Sequence, residues 1–121
     1  MSLAIWIVSG VLAAMYLTAG LMKSFTPREH LLTKLPWVED YSASTVKLIG
    51  WSELLGALGL VLPWALDIAP ALTPIAATGL VLIQALAIRA HIRRGETNVI
   101  AFNAVLLIAA AFVAVTRFMG L

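Results

Sequence analysis

Four apolar stretches of membrane-spanning length constrain this chain more than anything else in it. They cover residues 3–22, 44–62, 71–91 and 98–117, and none holds more than two charged residues. A helix of about 20 residues rises about 30 Å, the thickness of the hydrocarbon core of a bilayer. Composition points the same way. The chain is 62% hydrophobic and 12% charged, where a soluble domain is about half apolar and about a quarter charged. A soluble fold of 121 residues has too little interior to hide that much apolar area. A soluble lipid-binding bundle is the alternative, and long charge-free runs fit it less well. The expected fold is an all-α polytopic membrane protein, a four-transmembrane-helix bundle forming one domain over residues 1–121.

Local signals set the expected boundaries. Tyr41-Ser42-Ala43-Ser44 offers hydroxyl N-caps to the second helix, and Pro63 is expected to stop it. The third helix opens after Pro70 and tolerates Pro74 in its first turn. Gly95 breaks the chain, and Thr97 or Asn98 caps the fourth helix. The first stretch is not read as a signal peptide. It lacks a basic n-region, and its 20 residues exceed an h-region.

Charge supplies an orientation. Lys23, Arg28, Lys34 and Lys47 fall in the first connection, and Arg89, Arg93 and Arg94 in the third. The second connection, around Asp67, has no Lys or Arg, and Arg117 alone marks the other side. The positive-inside rule then places both termini outside and connections one and three in the cytoplasm. Trp6 and Trp64 fall near the outer interface and Trp37 and Trp51 near the inner one, as an aromatic belt would have them. The alternative is that some of them pack between helices. The first connection, with Pro27, Pro36, Trp37, Glu39 and Asp40, has room for an amphipathic or re-entrant piece.

Several chemistries are excluded. The chain has no cysteine, so disulfides, thiolate metal sites and iron–sulfur clusters are ruled out. His30 and His91 are its only histidines, and His30 lies in a loop, so bis-histidine haem is not expected. Basic residues do not interleave with aromatics, which argues against nucleic acid as a partner. A metal site from Glu53, His91 and Glu96 is conceivable but is not the expected reading.

Glu53 is the most informative single residue. A carboxylate in hydrocarbon costs several kcal/mol unless paired, wetted or protonated, so it usually marks a site. Tyr16 lies seven residues from Lys23, Glu53 six from Lys47, Gln84 seven from His91 and Asn103 six from Thr97. Each count is about 9–10 Å of helix, so antiparallel neighbours place all four polar groups at one depth. Seven residues is nearly two turns, so Tyr16 shares a face with Lys23, Gln84 with His91 and Asn103 with Glu96. Glu53 lies along Gly50, Gly56, Ala57 and Leu60, small enough for close helix approach.

The expected arrangement is a polar layer facing a shared interior, with an apolar space above it and a charged rim of Lys23, Arg89, His91 and Glu96 below. That shape suits a lipophilic molecule with one polar head, such as a quinone, a sterol-like compound or a fatty epoxide. Glu53, Tyr16 and Lys23 are the candidate catalytic residues, and Gln84, His91 and Asn103 the candidate ligand-binding ones. Each has a structural alternative. Glu53 could serve as an ion-pair partner of Lys23 or Arg89, Gln84 and Asn103 as glue between helices, and Tyr16 as a packed ring.

Three motifs carry a resemblance. Ala19-Gly20-Leu21-Met22-Lys23, Gly50-Trp51-Ser52-Glu53-Leu54-Leu55-Gly56 and Ala90-His91-Ile92-Arg93-Arg94-Gly95-Glu96, in this order and spacing, resemble the DoxX-like family of small four-helix bacterial membrane proteins. The resemblance implies a cytoplasmic-membrane protein, sometimes the small subunit of a quinone-linked oxidoreductase. It carries over Lys23, Glu53 and His91 as the positions to test. The expected function is therefore a quinone-binding membrane subunit working with a redox partner protein, with no covalently bound cofactor. Alternatives are a stand-alone acid–base enzyme, isomerase or epoxide hydrolase in type, with Glu53 as general acid/base; a small multidrug transporter; or an assembly factor. Small-residue faces such as Ser52-x-x-x-Gly56 serve packing within a subunit or in a homo-oligomer.

Overall fold

Backbone groups inside hydrocarbon must find partners within their own segment, and this chain meets that demand with helices throughout. The computed structural model describes residues 2–121, with no strand among the described residues. The helices are α1 (Ser2–Phe25), α2 (Arg28–Lys34), α3 (Ala43–Leu66), α4 (Leu72–Arg93) and α5 (Ile100–Phe118), with 3-10 turns at Pro36–Asp40 and Thr97–Val99. Four segments are long and apolar enough to cross a membrane: Ser2–Phe25, Ala43–Leu66, Leu72–Arg93 and Thr97–Phe118. α1 packs on α3, α3 on α4, α4 on α5, and α5 returns to α1. Leu12, Leu60, Ala77, Leu80, Ala110 and Val113 fill the middle of this ring. Long apolar side chains such as Leu55, Leu82, Leu86, Val105 and Ile108 point outward, the pattern of a lipid-facing surface.

Two boundaries depart from expectation. Pro63 does not stop its helix; α3 continues to Leu66. Proline has no N–H, so the Gly59 carbonyl four residues earlier loses its helical donor. The fully buried Thr73 of α4 donates its hydroxyl to that carbonyl at 2.8 Å. A neighbouring helix thus repairs the break, as membrane helices with internal proline require. At the other departure, neither Thr97 nor Asn98 caps the last helix. The chain enters α5 through a 3-10 turn with no side-chain cap. Ser42 does cap α3, accepting the Thr45 amide.

The first connection is folded. α2 and the Pro36–Asp40 turn pack through Leu31 and Val38 onto Val46 of α3. Arg28 ties the two pieces together by donating to the main-chain oxygens of Val38, Glu39 and Tyr41.

The Thr73 repair is testable by a double-mutant cycle. Thr73→Val should lower stability by about 1 kcal/mol in detergent unfolding. In a Pro63→Ala background, where residue 63 regains its amide, that loss should largely vanish.

Candidate functional site

The crossing of α1 and α3 sets the geometry of the candidate site. A Cβ on Gly20 would stand 2.7 Å from the Gly50 carbonyl oxygen, and one on Gly50 would stand 2.8 Å from the Lys23 Cβ. Only glycine permits this approach, and it levels the end of α1 with the first half of α3. Lys23 then reaches inward, and its Nζ donates to Glu53 Oε1 at 2.6 Å. The side chains are 14% and 4% exposed, so solvent screens the pair little. Of the two expected structural partners of Glu53, the pair is made by Lys23; Arg89 is exposed.

Tyr16 and Gln84 are both buried. Gln84 Nε2 donates to the Tyr16 hydroxyl at 2.6 Å, joining α1 to α4. That bond uses the phenol oxygen as acceptor and leaves its proton available. Asn103 is also buried, but its Nδ2 has no hydrogen-bond partner among the described residues, nor does Gln84 Oε1. Asn103 thus shares the interior without bonding to the other three.

His91 lies in the last turn of α4, two turns from Gln84. α4 ends in a Schellman turn: Gly95 adopts φ +71°, its amide reaches Ile92 O at 3.1 Å, and the Glu96 amide reaches His91 O at 2.9 Å. This turn folds Glu96 back so that its carboxylate meets His91 Nδ1 at 3.0 Å. Arg94 contacts Glu96 at 3.2 Å and both Glu39 and Asp40 at 2.8 Å. The carboxylates of Asp40 and Glu39 hold the Arg94 proton more tightly than usual. The His91 bond, with Arg94 behind it, holds the Glu96 carboxyl below the ordinary carboxylate range. Glu53 is taken by Lys23 while His91 and Glu96 hold each other, so these three do not gather around a common point. Trp37 of the folded connection lies over Lys23, its ring centre 5.4 Å from Nζ.

The apolar space differs from the expected interior chamber. Large side chains close the bundle centre, and the space lies outside it. One groove of about 230 Å³ runs between α1 and α3, lined by Ala13, Ala14, Leu17, Ala57, Leu58, Val61 and Leu62. Ala57 is one turn from Glu53, and Ala13 and Leu17 flank Tyr16, so the groove runs beside the polar layer. A second groove of about 410 Å³ between α1 and α5 is lined by Val8, Val105, Ile108, Ala109 and Phe112. Neither groove is lined by any of the candidate residues themselves.

Sequence reasoning missed one residue. Arg117, read as a lone marker of the far side, is only 3% exposed and lies 4.8 Å from the Trp6 ring centre and 4.3 Å from that of Trp64. Its position in the last turn of α5, level with two tryptophans at helix ends, was the available signal.

Fold and site together define a small polytopic membrane protein whose four spans surround a polar layer with a lysine–glutamate pair beside it. The sequence profile of the DoxX-like family matches residues 7–113, so the chain belongs to that family. No curated protein and no solved structure matches it.

Two outcomes test this geometry. Lys23→Met strands the Glu53 carboxylate and should cost about 3 kcal/mol in detergent unfolding at neutral pH. Glu53→Gln should cost less, because the freed ammonium can extend to the interface; the double variant should cost less than the sum.

The Glu96 pairing predicts an acid-dependent step. Its folded pKa lies below the unfolded value near 4.5, so the pairing contributes fully above that value and is lost as pH falls through the folded one. Hydrogen exchange of residues 94–99 should accelerate over that window. The wild type minus Glu96→Gln difference isolates the effect from the neighbouring Glu39 and Asp40 carboxylates.

Proposed function

We propose that this protein binds a lipophilic molecule with a polar, quinone-like head beside Glu53 and serves as the membrane subunit of an oxidoreductase. In this reading its place is the cytoplasmic membrane, with both termini outside and the basic end in the cytoplasm, an orientation that the bias of Lys and Arg supports. The observation that carries the reading is the buried Lys23–Glu53 pair next to a groove open to lipid. A ring sliding in between α1 and α3 meets apolar walls and then exchangeable protons. Intramembrane ionisable groups in such surroundings mark proton or ligand sites.

In this reading electrons come from a redox partner protein, and protons reach the head group through Glu53 and Lys23. Tyr16, anchored by Gln84, donates its hydroxyl proton toward the head oxygen. Asn103 offers an amide to the same ligand from α5, and His91 with Glu96 stands at the cytoplasmic entrance.

A second reading draws on the free phenol proton of Tyr16 near Glu53. These two are a donor and a base for a stand-alone acid–base enzyme of the isomerase or epoxide-hydrolase type.

Mild detergent extraction followed by mass spectrometry of retained small molecules tests the main reading. Wild type should carry a quinone-like lipid and co-purify with a redox protein. Glu53→Gln should keep its helicity and elution while losing about tenfold of the bound molecule. A folded Glu53→Gln protein that retains the ligand as wild type does overturns the reading. Turnover by the isolated chain without a partner selects the acid–base alternative.

A further inference from the structure

The first connection lies across the end of the α1–α3 crossing. Leu31 of α2 and Val38 of the 3-10 turn are buried on Val46 in the first turn of α3, and Met22 of α1 packs against the same cluster. Trp37 reaches over Lys23, its ring centre 5.4 Å from Nζ, and the Tyr41 ring braces it edge-on. The partner of that ammonium, Glu53, is buried.

This piece is stiff within itself and lightly held to the bundle. Arg28 donates to the main-chain oxygens of Val38, Glu39 and Tyr41, so α2 and the turn move as one body. α2 packs mainly on the 3-10 turn rather than on a membrane-spanning helix. The chain is extended where it enters, at Pro27, and where it leaves, at Tyr41 and Ser42. Arg94, at the end of α4, supplies a polar tie: its Nη1 meets Glu39 Oε1 and Asp40 Oδ2, each at 2.8 Å. Those carboxylate side chains are 61% and 51% exposed. Ion pairs so open to water contribute little each and are screened by salt. A segment held by one small apolar cluster and a solvated tie opens well before the helices unfold.

We propose that residues 27–41 form a lid over the Lys23–Glu53 pair, latched by Arg94, and that release of the latch admits water from the basic end to the pair. The pair then has a shielded state and a wet one, and the ionic surroundings of Arg94 set the balance. This deepens the reading of Glu53 as the site, by naming what controls its contact with water, and it needs no molecule bound there.

The chain has no cysteine, so one introduced thiol reports access cleanly. Val46→Cys, close to isosteric, puts it under the lid; Ser44→Cys, at an exposed position, is the reference. Both are reacted with a neutral, water-soluble maleimide in the full chain in detergent. The Val46→Cys thiol should react at least about tenfold more slowly than the reference. Adding Arg94→Gln should speed it about fivefold, and Arg94→Lys should fall between. Salt at about 1 M should act as Arg94→Gln does, and should add little to that variant. The reference rate should stay unchanged throughout. A second readout follows the opening to the pair: water exchange of the Lys23 ammonium, measured by NMR, should accelerate in Arg94→Gln by a similar factor and further in Trp37→Ala.

A Val46→Cys thiol as reactive as the reference means that there is no closed lid and overturns the proposal. An unchanged rate in about 1 M salt, or in folded Arg94→Gln, overturns it as well, and the salt arm needs no second variant to fold. Faster thiol labelling with unchanged Lys23 exchange overturns the claim that the lid guards the pair. Neither readout involves a bound ligand, so the lid and the ligand reading stand or fall separately.

Discussion

The interaction on which the rest of this molecule depends is the 2.6 Å contact between Lys23 and Glu53. The Glu53 carboxylate alone in the bundle would face a large desolvation cost, while Lys23 alone could extend to the interface. The contact exists because Gly20 and Gly50 let two backbones meet. That approach lets the lysine stem turn inward from the end of α1 rather than extend toward water. Trp37 of the first connection lies over the ammonium, and Leu31 and Val38 hold that connection against Val46 of α3. Sequence, helix crossing and ion pair form one causal chain, and the polar layer is its result.

The same logic governs the ends of the spans. Polar backbone groups left over by a proline or by a helix terminus are met by a specific neighbour: Thr73 for Gly59, and the Gly95 turn for the last carbonyls of α4. The Gly95 turn has a second effect. By folding Glu96 onto His91 and Arg94, it connects the third connection to Glu39 and Asp40 of the first. The basic end is therefore bound together by charge across two connections. At the opposite end Arg117 lies against the Trp6 and Trp64 rings and donates to the Leu121 oxygen.

Much of this was legible in the sequence for physical reasons. Span length and hydropathy follow from bilayer thickness, so the four helices could be read directly. Helical periodicity put Tyr16, Glu53, Gln84 and Asn103 at one depth, and all four are buried. What was hidden depends on partners distant in sequence. Pro63 reads as a stop until Thr73 is seen beside it. The expected inner chamber is filled by Leu12, Leu60 and Leu80, whose volumes cannot be summed from a periodic pattern; the space lies in outer grooves between α1 and α3 and between α1 and α5. Arg117 reads as a topology marker because nothing local shows that two indoles from other helices enclose it. Membership of the DoxX-like family supports the bundle and its motifs, while the chemistry rests on the groups themselves.

The central claim is that Lys23 and Glu53 meet as an ion pair inside the bundle. Solid-state NMR of protein in lipid bilayers, labelled at the lysine amine nitrogen and the glutamate carboxyl carbon, measures it directly. The account predicts a strong nitrogen–carbon dipolar coupling assigned to Lys23 and Glu53, lost in Lys23→Met, with an ionised carboxyl shift at Glu53. A protonated Glu53 carboxyl with no coupling, and a Lys23 ammonium exchanging freely with water, would contradict it.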